Sequence, residues 1–178
     1  MTSSLMLEAA IQDRFWAKVD LLSSPTGCWL WTAATIGSNH GDKRYGAFSS
    51  GGVFKSRLAH RISWEMGNGP IPARLQIDHR HTCPKTCVNP VHLRLATNKQ
   101  NNENQAGPRR DNKSSGVRGV TWDKRRRLWK ASVMHNGKQC YAGAYSSIEA
   151  AAEAARLKRL ELFTHSDGDA IFSKKHIG

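Results

Sequence analysis

The chain has 178 residues, which is enough for one ordinary domain or for two small modules with modest cores. Its 27 lysines and arginines outnumber its 14 aspartates and glutamates, and the formal charge of +13 makes nucleic acid the first candidate partner; a merely basic, solvated surface is the alternative. The start of the chain lacks the basic-then-apolar pattern of a signal peptide, and no apolar run reaches membrane-spanning length, so we expect a soluble intracellular protein that binds no membrane.

Apolar residues at helical spacing, Leu7, Ile11, Phe15 and Val19, predict an amphipathic first helix whose stripe packs in a core. Strand-like runs rich in aromatic residues follow, and then the breaker "GNGP" and a polar segment that Thr97 can cap. In chain order, the first half is predicted to contain a helix at about 5–22, strands at 28–35 and 44–50, a helix at 57–66, a strand at 75–77 and a polar helix from about 98.

The polar, basic segment "QAGPRRDNKSS" lacks apolar periodicity, which is typical of a linker lying along a phosphate backbone. Downstream we predict three short strands and an alanine-rich helix, with Asn136-Gly137 as a type I′ hairpin turn and Ser146 with Glu149 as a capping box. The expected organisation is a module at 1–105, a linker at 106–115, a second module at 116–165 and a tail at 166–178.

Cysteine and histidine residues crowd one loop at the spacing Cys83-x3-Cys87-x4-His92. In an intracellular protein such cysteines are more often metal ligands or buried thiols than disulfides. The spacing suits tetrahedral zinc, and a closed structural site needs a fourth ligand, for which Cys28 is the natural candidate. Thiol and imidazole groups that are simply packed together are the alternative. Cys140 lies on a predicted strand of the second module, and we expect it to be a buried core thiol.

A second group of polar residues flanks the same loop. Asp78-His79 follows a short apolar strand, and Asn101 lies on the helix predicted beyond the loop. Carboxylate and amide oxygens suit a hard cation such as Mg²⁺, and a neutral imidazole can take a proton from water near physiological pH. Phosphodiester hydrolysis needs both functions, although an Asp-His pair carries little weight without context.

The motifs "CWLWTA", "YGAF", "AHRISWE", "NGPIP", "IDH", "CVNPVHL" and "LATNKQN", in this order, resemble the HNH nucleases of the ββα-metal class, particularly homing endonucleases of phages and introns. The resemblance covers roughly residues 27–104. It implies that His79 activates the water and that Asp78 and Asn101 bind the catalytic cation, Mg²⁺ or another divalent ion. It also implies that Asn89 braces the loop through hydrogen bonds. The structural zinc ligands implied by the resemblance are Cys28, Cys83, Cys87 and His92.

Three further histidines need an assignment. His81, not His79, lies two residues before the first cysteine of the loop, where some relatives carry their catalytic histidine. Because His79 keeps the preceding aspartate that the metal requires, we expect His79 to be the base and His81 to be a loop or phosphate contact. His60 is expected to be a hydrogen-bonded core histidine, and His40 to face solvent or backbone.

The second module is predicted to have one packed face and one basic face. Trp129, Ala131 and Val133 alternate along the second strand and can pack on the helix, while Lys130 and its alternating neighbours face outward. A DNA major groove is wide enough to admit such a β-structure, and a solvated basic face is the alternative.

The runs "GVRGVTWD", "WKASV" and "NGKQCYAGAYSSIEAAAEAA" resemble the plant ethylene-response-factor (APETALA-type) DNA-binding domain, in which a three-stranded sheet reads the major groove with a helix behind it. Plant relatives place further arginines on the first strand, where this chain has Thr121, so its target need not resemble theirs. The resemblance carries DNA-facing positions onto Arg118, Lys130, Gln139 and Tyr141. Expected phosphate contacts from the linker and the basic turn are Arg109, Arg110, Lys113, Lys124, Arg125 and Arg127.

The residue patterns and the two family resemblances together imply an α+β protein with a zinc-bound ββα-metal nuclease module, followed by a small three-stranded antiparallel sheet packed on one helix. The leading hypothesis is a homing-type, metal-dependent DNA endonuclease acting on double-stranded DNA in the cytoplasm of a bacterial or phage-infected cell. The first module would cut and the second would recognise the site. The alternatives are a transcription regulator whose HNH-like module does not cut and a zinc-stabilised RNA-binding protein. The sequence is compatible with a monomer.

Overall fold

The structure, a computed structural model, describes residues 2–37, 44–80, 83–105, 107–108 and 112–174. The chain divides into two compact units, Met1–Asn98 and Lys99–Gly178. Both contain helices and strands, which confirms the α+β class predicted from the sequence. The module boundaries expected at 105/106 and 115/116 stay predictions. Within the described ranges, no helix combines the length and the apolar character needed to cross a bilayer.

The first unit is built from helices and short antiparallel strand pairs. Its elements are α1 (Thr2–Trp16), β1 (Val19–Asp20), β2 (Leu30–Trp31), β3 (Thr35–Gly37), β4 (Arg44–Gly46), α2 (Ala59–Asn68), β5 (Gln76–His79), a 3₁₀ turn (Pro90–His92) and β6 (Leu93–Ala96). β1 pairs with β2, β3 with β4 and β5 with β6.

The first helix is shorter than its apolar spacing predicted. α1 ends at Trp16, and Val19, expected to extend the helical stripe, pairs instead with Trp31 between β1 and β2. The Lys18 N–H donates to Phe15 O at 3.0 Å, which tightens the end of the helix, and a β-branched residue then suits a strand. Phe15 itself is buried in the core, as predicted.

An aromatic core supports the cysteine-bearing loop of the first unit. The Phe15 ring centroid lies 5.0 Å from that of Trp31 and 5.2 Å from that of Phe48. Val88 packs in the same cluster, and its N–H donates to Trp29 O at 2.8 Å. Aromatic side chains supply a large share of the apolar area that a small core can bury, so they anchor this loop firmly.

β5 and β6 form the strand pair that carries Asp78 and His79. They run antiparallel, with Asp78 opposite Arg94 and His79 opposite Leu93. α3 (Asn98–Glu103) follows β6 in the chain. This β–β–α order is the one that the HNH resemblance implies.

The second unit contains most of α3 and then a sheet with helices. Its further elements are β7 (Val120–Asp123), β8 (Leu128–His135), β9 (Lys138–Tyr145), α4 (Ile148–Leu162) and α5 (Asp167–Lys174). The sheet order is β7-β8-β9 with antiparallel pairing throughout. Val120 and Ala131 of the sheet are buried together with Ala151 and Ala155 of α4, whose small side chains let the helix lie close. The predicted three-stranded sheet packed on one helix is therefore confirmed.

Local turn chemistry agrees with the sequence at one site and differs at another. Asn136 and Gly137 have φ values of 49° and 74°, as a type I′ turn requires. The cap of α4 is Ser147 rather than Ser146, and its side chain accepts a hydrogen bond from the Ala150 N–H at 3.2 Å. Adjacent serines made the two registers hard to separate from the sequence.

Helix α5 lies where the sequence analysis expected only a tail. The Arg159 guanidinium on α4 donates to both carboxylate oxygens of Asp169, at 2.8 and 2.6 Å. Arg159 is buried, and a buried bidentate pair of this kind depends on good geometry for its stability. α5 is therefore stabilised by a partner on another helix, which a local sequence pattern does not reveal.

Candidate active site and nucleic-acid interface

The three cysteines and one histidine predicted as zinc ligands come together in the first unit. The ligand atoms of Cys28, Cys83, Cys87 and His92 all lie within 4.8 Å of one another. The Cys28 and Cys83 sulfurs are 3.6 Å apart, and the His92 Nδ1 lies 3.5 Å from the Cys28 sulfur and 3.8 Å from the Cys87 sulfur. Zinc bond lengths in a tetrahedron correspond to edges of about 3.8 Å between two sulfurs and about 3.6 Å between sulfur and nitrogen. The cluster thus fits a structural zinc ion.

Backbone and amide hydrogen bonds build this cluster from distant segments. The Trp31 N–H donates to Thr86 O at 3.0 Å, which ties the cysteine loop to β2. The buried Asn89 donates from Nδ2 to Gly27 O at 2.9 Å, and its Oδ1 accepts from the Val91 N–H at 3.2 Å. Asn89 therefore links the residue before Cys28 to the turn that ends in His92, and it caps that turn.

The thiols of the cluster do not behave as independent groups. All four cysteines of the chain are described, and none is in a disulfide. A hydrogen bond from Cys83 lowers the pKa of Cys87 to about 5, and the same contact raises the pKa of Cys83 above its usual value. The Cys87 thiol thus ionises readily, while Cys83 keeps its proton. A divalent cation bound by thiolates would displace that proton.

Asp78 is held by an arginine that the sequence analysis did not single out. Its side chain is 3% exposed, and the Arg94 guanidinium donates to Asp78 Oδ2 from Nε at 3.2 Å and from Nη2 at 3.0 Å. These contacts orient the carboxylate and compensate a buried charge. Because β5 and β6 place the two residues directly opposite each other, the signal was the strand register, which the sequence alone did not provide.

His79 is buried and is fixed in one tautomer. The residue is 3% exposed, and its Nε2 lies 2.9 Å from the backbone carbonyl oxygen of Cys87. A carbonyl oxygen only accepts, so Nε2 carries the proton and the basic lone pair is on Nδ1. Burial lowers the pKa of His79 to about 4, although the hydrogen bond to Cys87 opposes this shift. The imidazole is therefore neutral near pH 7, as a proton acceptor must be.

His60 and Tyr45 form the surroundings of His79. The His60 ring centroid lies 4.7 Å from that of His79, and the Tyr45 ring centroid lies 5.1 Å from His60 and 6.1 Å from His79. The Lys85 Nζ lies 5.8 Å from the centre of the Tyr45 ring. His60 is buried, as expected, and burial lowers its pKa well below the usual value. The sequence also predicted that His60 is hydrogen-bonded, but its Nδ1 atom has no hydrogen-bond partner among the described residues.

Several predicted site residues cannot be placed beside these. His40, His81, Arg109 and Arg110 lie outside the described residues. Asn101 is on α3, in the second unit.

The outward face of the β7–β9 sheet brings several predicted DNA-binding residues together. A groove of about 390 Å³ is lined by Lys130, Gln139, Tyr141, Arg125, Arg126, Asp123 and Ala144. Tyr141 is 53% exposed, and Gln139 donates to Ser132 Oγ at 3.0 Å, which holds its amide across the two strands. Arg126 was not among the residues expected to bind DNA. The remaining predicted cations, Lys113, Lys124 and Arg127, are exposed.

The acidic residue in this groove is engaged by the turn. Asp123 Oδ1 accepts the backbone N–H groups of Arg125 and Arg126, each at 3.0 Å. Its carboxylate thereby folds the basic turn, and the hydrogen bonds from the turn lower the pKa of Asp123. The side chains of the turn are left to make the face positive.

Arg118 does not share this face. It precedes β7, and its guanidinium donates to the carbonyl oxygens of Asn102 and Glu103, each at 3.1 Å, and to that of Gln105. The guanidinium carbon also lies 5.6 Å from the centre of the Phe163 ring. Arg118 was expected to face DNA, whereas the structure directs it to the C-terminal end of α3. Burial lowers the pKa of Arg118, yet a guanidinium stays protonated in proteins.

Cys140 also differs from its prediction. It was expected to be a buried core thiol, but it is only half-buried and its sulfur is 4.0 Å from Lys138 O. The residue lies next to the β8–β9 turn, away from the alanine-rich contact with α4, so strand alternation alone overestimated its burial.

Two comparisons with known proteins gave matches. The HNH endonuclease family matches residues 57–103. Protein 3.8 of Escherichia phage T7 is 34% identical over 108 residues, which cover 60% of this chain and 85% of the phage protein. No solved structure matches the chain.

Proposed function

The chain belongs to the HNH endonuclease family of metal-dependent phosphodiesterases, and from that premise we propose that it is a sequence-directed DNA endonuclease of the homing type. DNA is the substrate that the family implies. The proposal extends to the residues that act, the catalytic cation and the recognition of a particular site.

The observation that carries the proposal is the hydrogen bond between His79 Nε2 and Cys87 O, 2.9 Å long. It holds the imidazole in the tautomer that has its lone pair on Nδ1, so His79 can take a proton from water as that water attacks the phosphorus. The neutral ring needs no prior deprotonation near pH 7. Proton transfer of this kind typically contributes about 10²- to 10⁴-fold to a rate.

Asp78 and Asn101 are proposed to hold the catalytic divalent cation. Their carboxylate and amide oxygens suit Mg²⁺, and the contacts of Arg94 with Asp78 Oδ2 orient the carboxylate in the way that hydrogen-bonded metal ligands are usually supported. When bound, the cation supplies stabilisation of the charge that develops on the leaving oxygen.

We assign a positioning role to the Cys28, Cys83, Cys87 and His92 cluster. Its donor set and spacing support a structural zinc ion. Since Cys87 would be a zinc ligand through its sulfur and is the hydrogen-bond partner of His79 through its carbonyl, zinc binding would fix the acceptor that orients the base. Asn89 would keep the two halves of the zinc site together.

The sheet of the second unit is proposed to recognise the DNA site. Lys130, Gln139 and Tyr141 share one concave face with the basic turn, and these residue types suit phosphate, base-edge and stacking contacts respectively. The resemblance to the APETALA-type domain supports the same face. Linker cations such as Lys113 would add contacts to phosphates.

Cleavage-end mapping tests this function. The full-length protein is incubated with supercoiled plasmid and with phage-sized DNA in Mg²⁺ or in EDTA, and the ends are sequenced. We expect Mg²⁺-dependent ends at few positions. Tight duplex binding without any cut in Mg²⁺ or Mn²⁺ would indicate a transcription regulator instead, and stronger competition by single-stranded RNA than by duplex DNA would indicate an RNA-binding protein.

A further inference from the structure

α3 is too short to be stable by itself. Its six residues, Asn98–Glu103, make fewer than two helical turns. Isolated helices below roughly 12–15 residues are marginal in water, so the order of α3 must come from tertiary contacts. From Lys99 onward, α3 belongs to the second unit.

Arg118 satisfies the C-terminal end of α3. The last carbonyl groups of a helix have no partner within the helix, and a cation near them is favourable. Arg118 donates to the carbonyl oxygens of Asn102, Glu103 and Gln105, and so spans the end of α3 and the residues after it. A guanidinium presents five N–H donors in a rigid planar fork that suits such a multiple contact, whereas the three donors of a lysine ammonium radiate from a single nitrogen.

The side chain of Glu103 provides a second anchor. It is 6% exposed, and its Oε1 lies 2.7 Å from Lys99 Nζ and 3.7 Å from His135 Nδ1. Its Oε2 accepts from the Thr164 N–H and hydroxyl, each at 3.3 Å. Residues of β8 and of the segment after α4 therefore hold the last residue of α3.

The loop that carries Arg118 is itself braced. Arg159 Nη1 donates to Arg118 O at 2.9 Å, and the same guanidinium forms the bidentate pair with Asp169. The Phe163 ring supports the Arg118 guanidinium from α4's end. These contacts hold Arg118 in place in the absence of any ligand. Such a fixed side chain is suited to supporting α3, whereas a side chain that binds phosphate is usually exposed.

We propose that the contacts of Arg118 and Glu103 form a clamp through which the second unit positions α3, and with it Asn101, for binding of the catalytic cation. The inference rests on the proposed role of Asn101 as a ligand. Arg118 is then a positioning residue, and the module has two separate tasks. The sheet face with Lys130, Gln139 and Tyr141 contacts DNA. The contacts of Arg118 order α3 and therefore Asn101.

The clamp predicts a particular phenotype for Arg118→Ala in the full-length protein. We expect the Mg²⁺ concentration for half-maximal plasmid nicking to rise about 10- to 100-fold, as is usual when the support of a metal ligand is removed. The rate at saturating Mg²⁺ should largely recover, and affinity for a labelled mixed-sequence duplex in EDTA should be unchanged. Arg118→Lys should be intermediate, because an ammonium keeps the charge but lacks the rigid fork of donors that matches these carbonyl groups.

Lys130→Ala is the matched control. Lys130 is also a cation of the second unit, but it is assigned to DNA binding and not to the support of α3. It should weaken duplex binding and leave the Mg²⁺ requirement at saturating DNA unchanged. If Arg118→Ala instead weakens duplex binding without changing the Mg²⁺ requirement, or changes neither, the clamp is refuted.

Two further variants keep the outcome interpretable. Thermal melting shows whether Arg118→Ala folds; if it does not, Glu103→Gln decides, since it keeps the shape and removes the ionic contacts, and an unchanged Mg²⁺ requirement there also refutes the clamp. Asn101→Ala tests the premise separately. An unchanged Mg²⁺ requirement in Asn101→Ala would remove Asn101 from the metal site, whereas a raised requirement there with a normal one in Arg118→Ala would remove only the clamp.

Discussion

The Nε2 atom of His79 lies 2.9 Å from the backbone carbonyl oxygen of Cys87. This contact joins the proposed base to a residue whose sulfur belongs to the Cys3His cluster. A structural ion at the cluster would therefore act on catalysis through geometry, by holding the carbonyl that selects the tautomer of the imidazole.

Cys87→Ser should sharply lower the stability of the first unit and its nicking activity. A structural zinc site contributes folding free energy directly, on the order of 10 kcal/mol of binding energy in small zinc domains, and its loss also releases the carbonyl that orients His79. Metal analysis of the purified, unchelated wild type should give about one tightly bound zinc ion per chain.

Cys140→Ser is the control for that change, because Cys140 lies outside the cluster and is only half-buried. It should retain zinc and change the free energy of unfolding by no more than about 0.5 kcal/mol. Purified wild type without zinc, or a Cys87→Ser protein with wild-type melting, would remove the zinc assignment.

Residues of the sheet face should separate affinity from specificity. Lys130→Ala is expected to lower affinity for all duplexes alike and to reduce the log–log salt slope by about 1, the signature of one lost phosphate contact. Gln139→Ala is expected to relax discrimination at a base position by about 1–3 kcal/mol if its amide reads a base edge. Duplex binding measured across a salt series and a randomised site library checks both. Wild-type salt slope and wild-type site preference in these variants would show that the groove does not face DNA.

Gly119→Ala should destabilise the second unit. Gly119 has a φ of +82°, and a Cβ there would lie 2.8 Å from the backbone oxygen of Ser132 and 3.2 Å from the Ala155 side chain. Strain of this kind typically costs about 1–3 kcal/mol, which corresponds to several degrees in Tm for a unit of this size. Gly107→Ala, with nothing within 4 Å of its Cβ, should melt like the wild type. Equal melting of the two variants would contradict the tight turn before β7.

The sequence predicted those features that residue type and spacing determine. The need for a fourth zinc ligand predicted that Cys28 lies beside a loop more than fifty residues away in the chain. Alternation along β8 predicted the buried Ala131 and the outward Lys130. Features that depend on which segments meet in space were not predictable in this way. The Asp78–Arg94 pair needed the β5–β6 register.

Arg118 is a case in which contacts between distant segments overturned a prediction from the sequence. Charge and family resemblance predicted a DNA contact, because both treat the module as a separate unit with its own surface. The carbonyl oxygens at the end of α3 supplied acceptors that no pattern within the module contains, and they outcompete solvent for the guanidinium. Val19 likewise fitted the helical stripe of α1 but found a strand partner in Trp31.

The most direct test of the account is plasmid nicking in Mg²⁺ by His79→Ala and His81→Ala, with duplex affinity measured in parallel. The account predicts that His79→Ala loses at least about a hundredfold in rate while its affinity stays close to that of the wild type, because the imidazole acts in the transition state, and that His81→Ala is much milder. An inactive His81→Ala protein together with an active His79→Ala protein would contradict the assignment of His79 as the base.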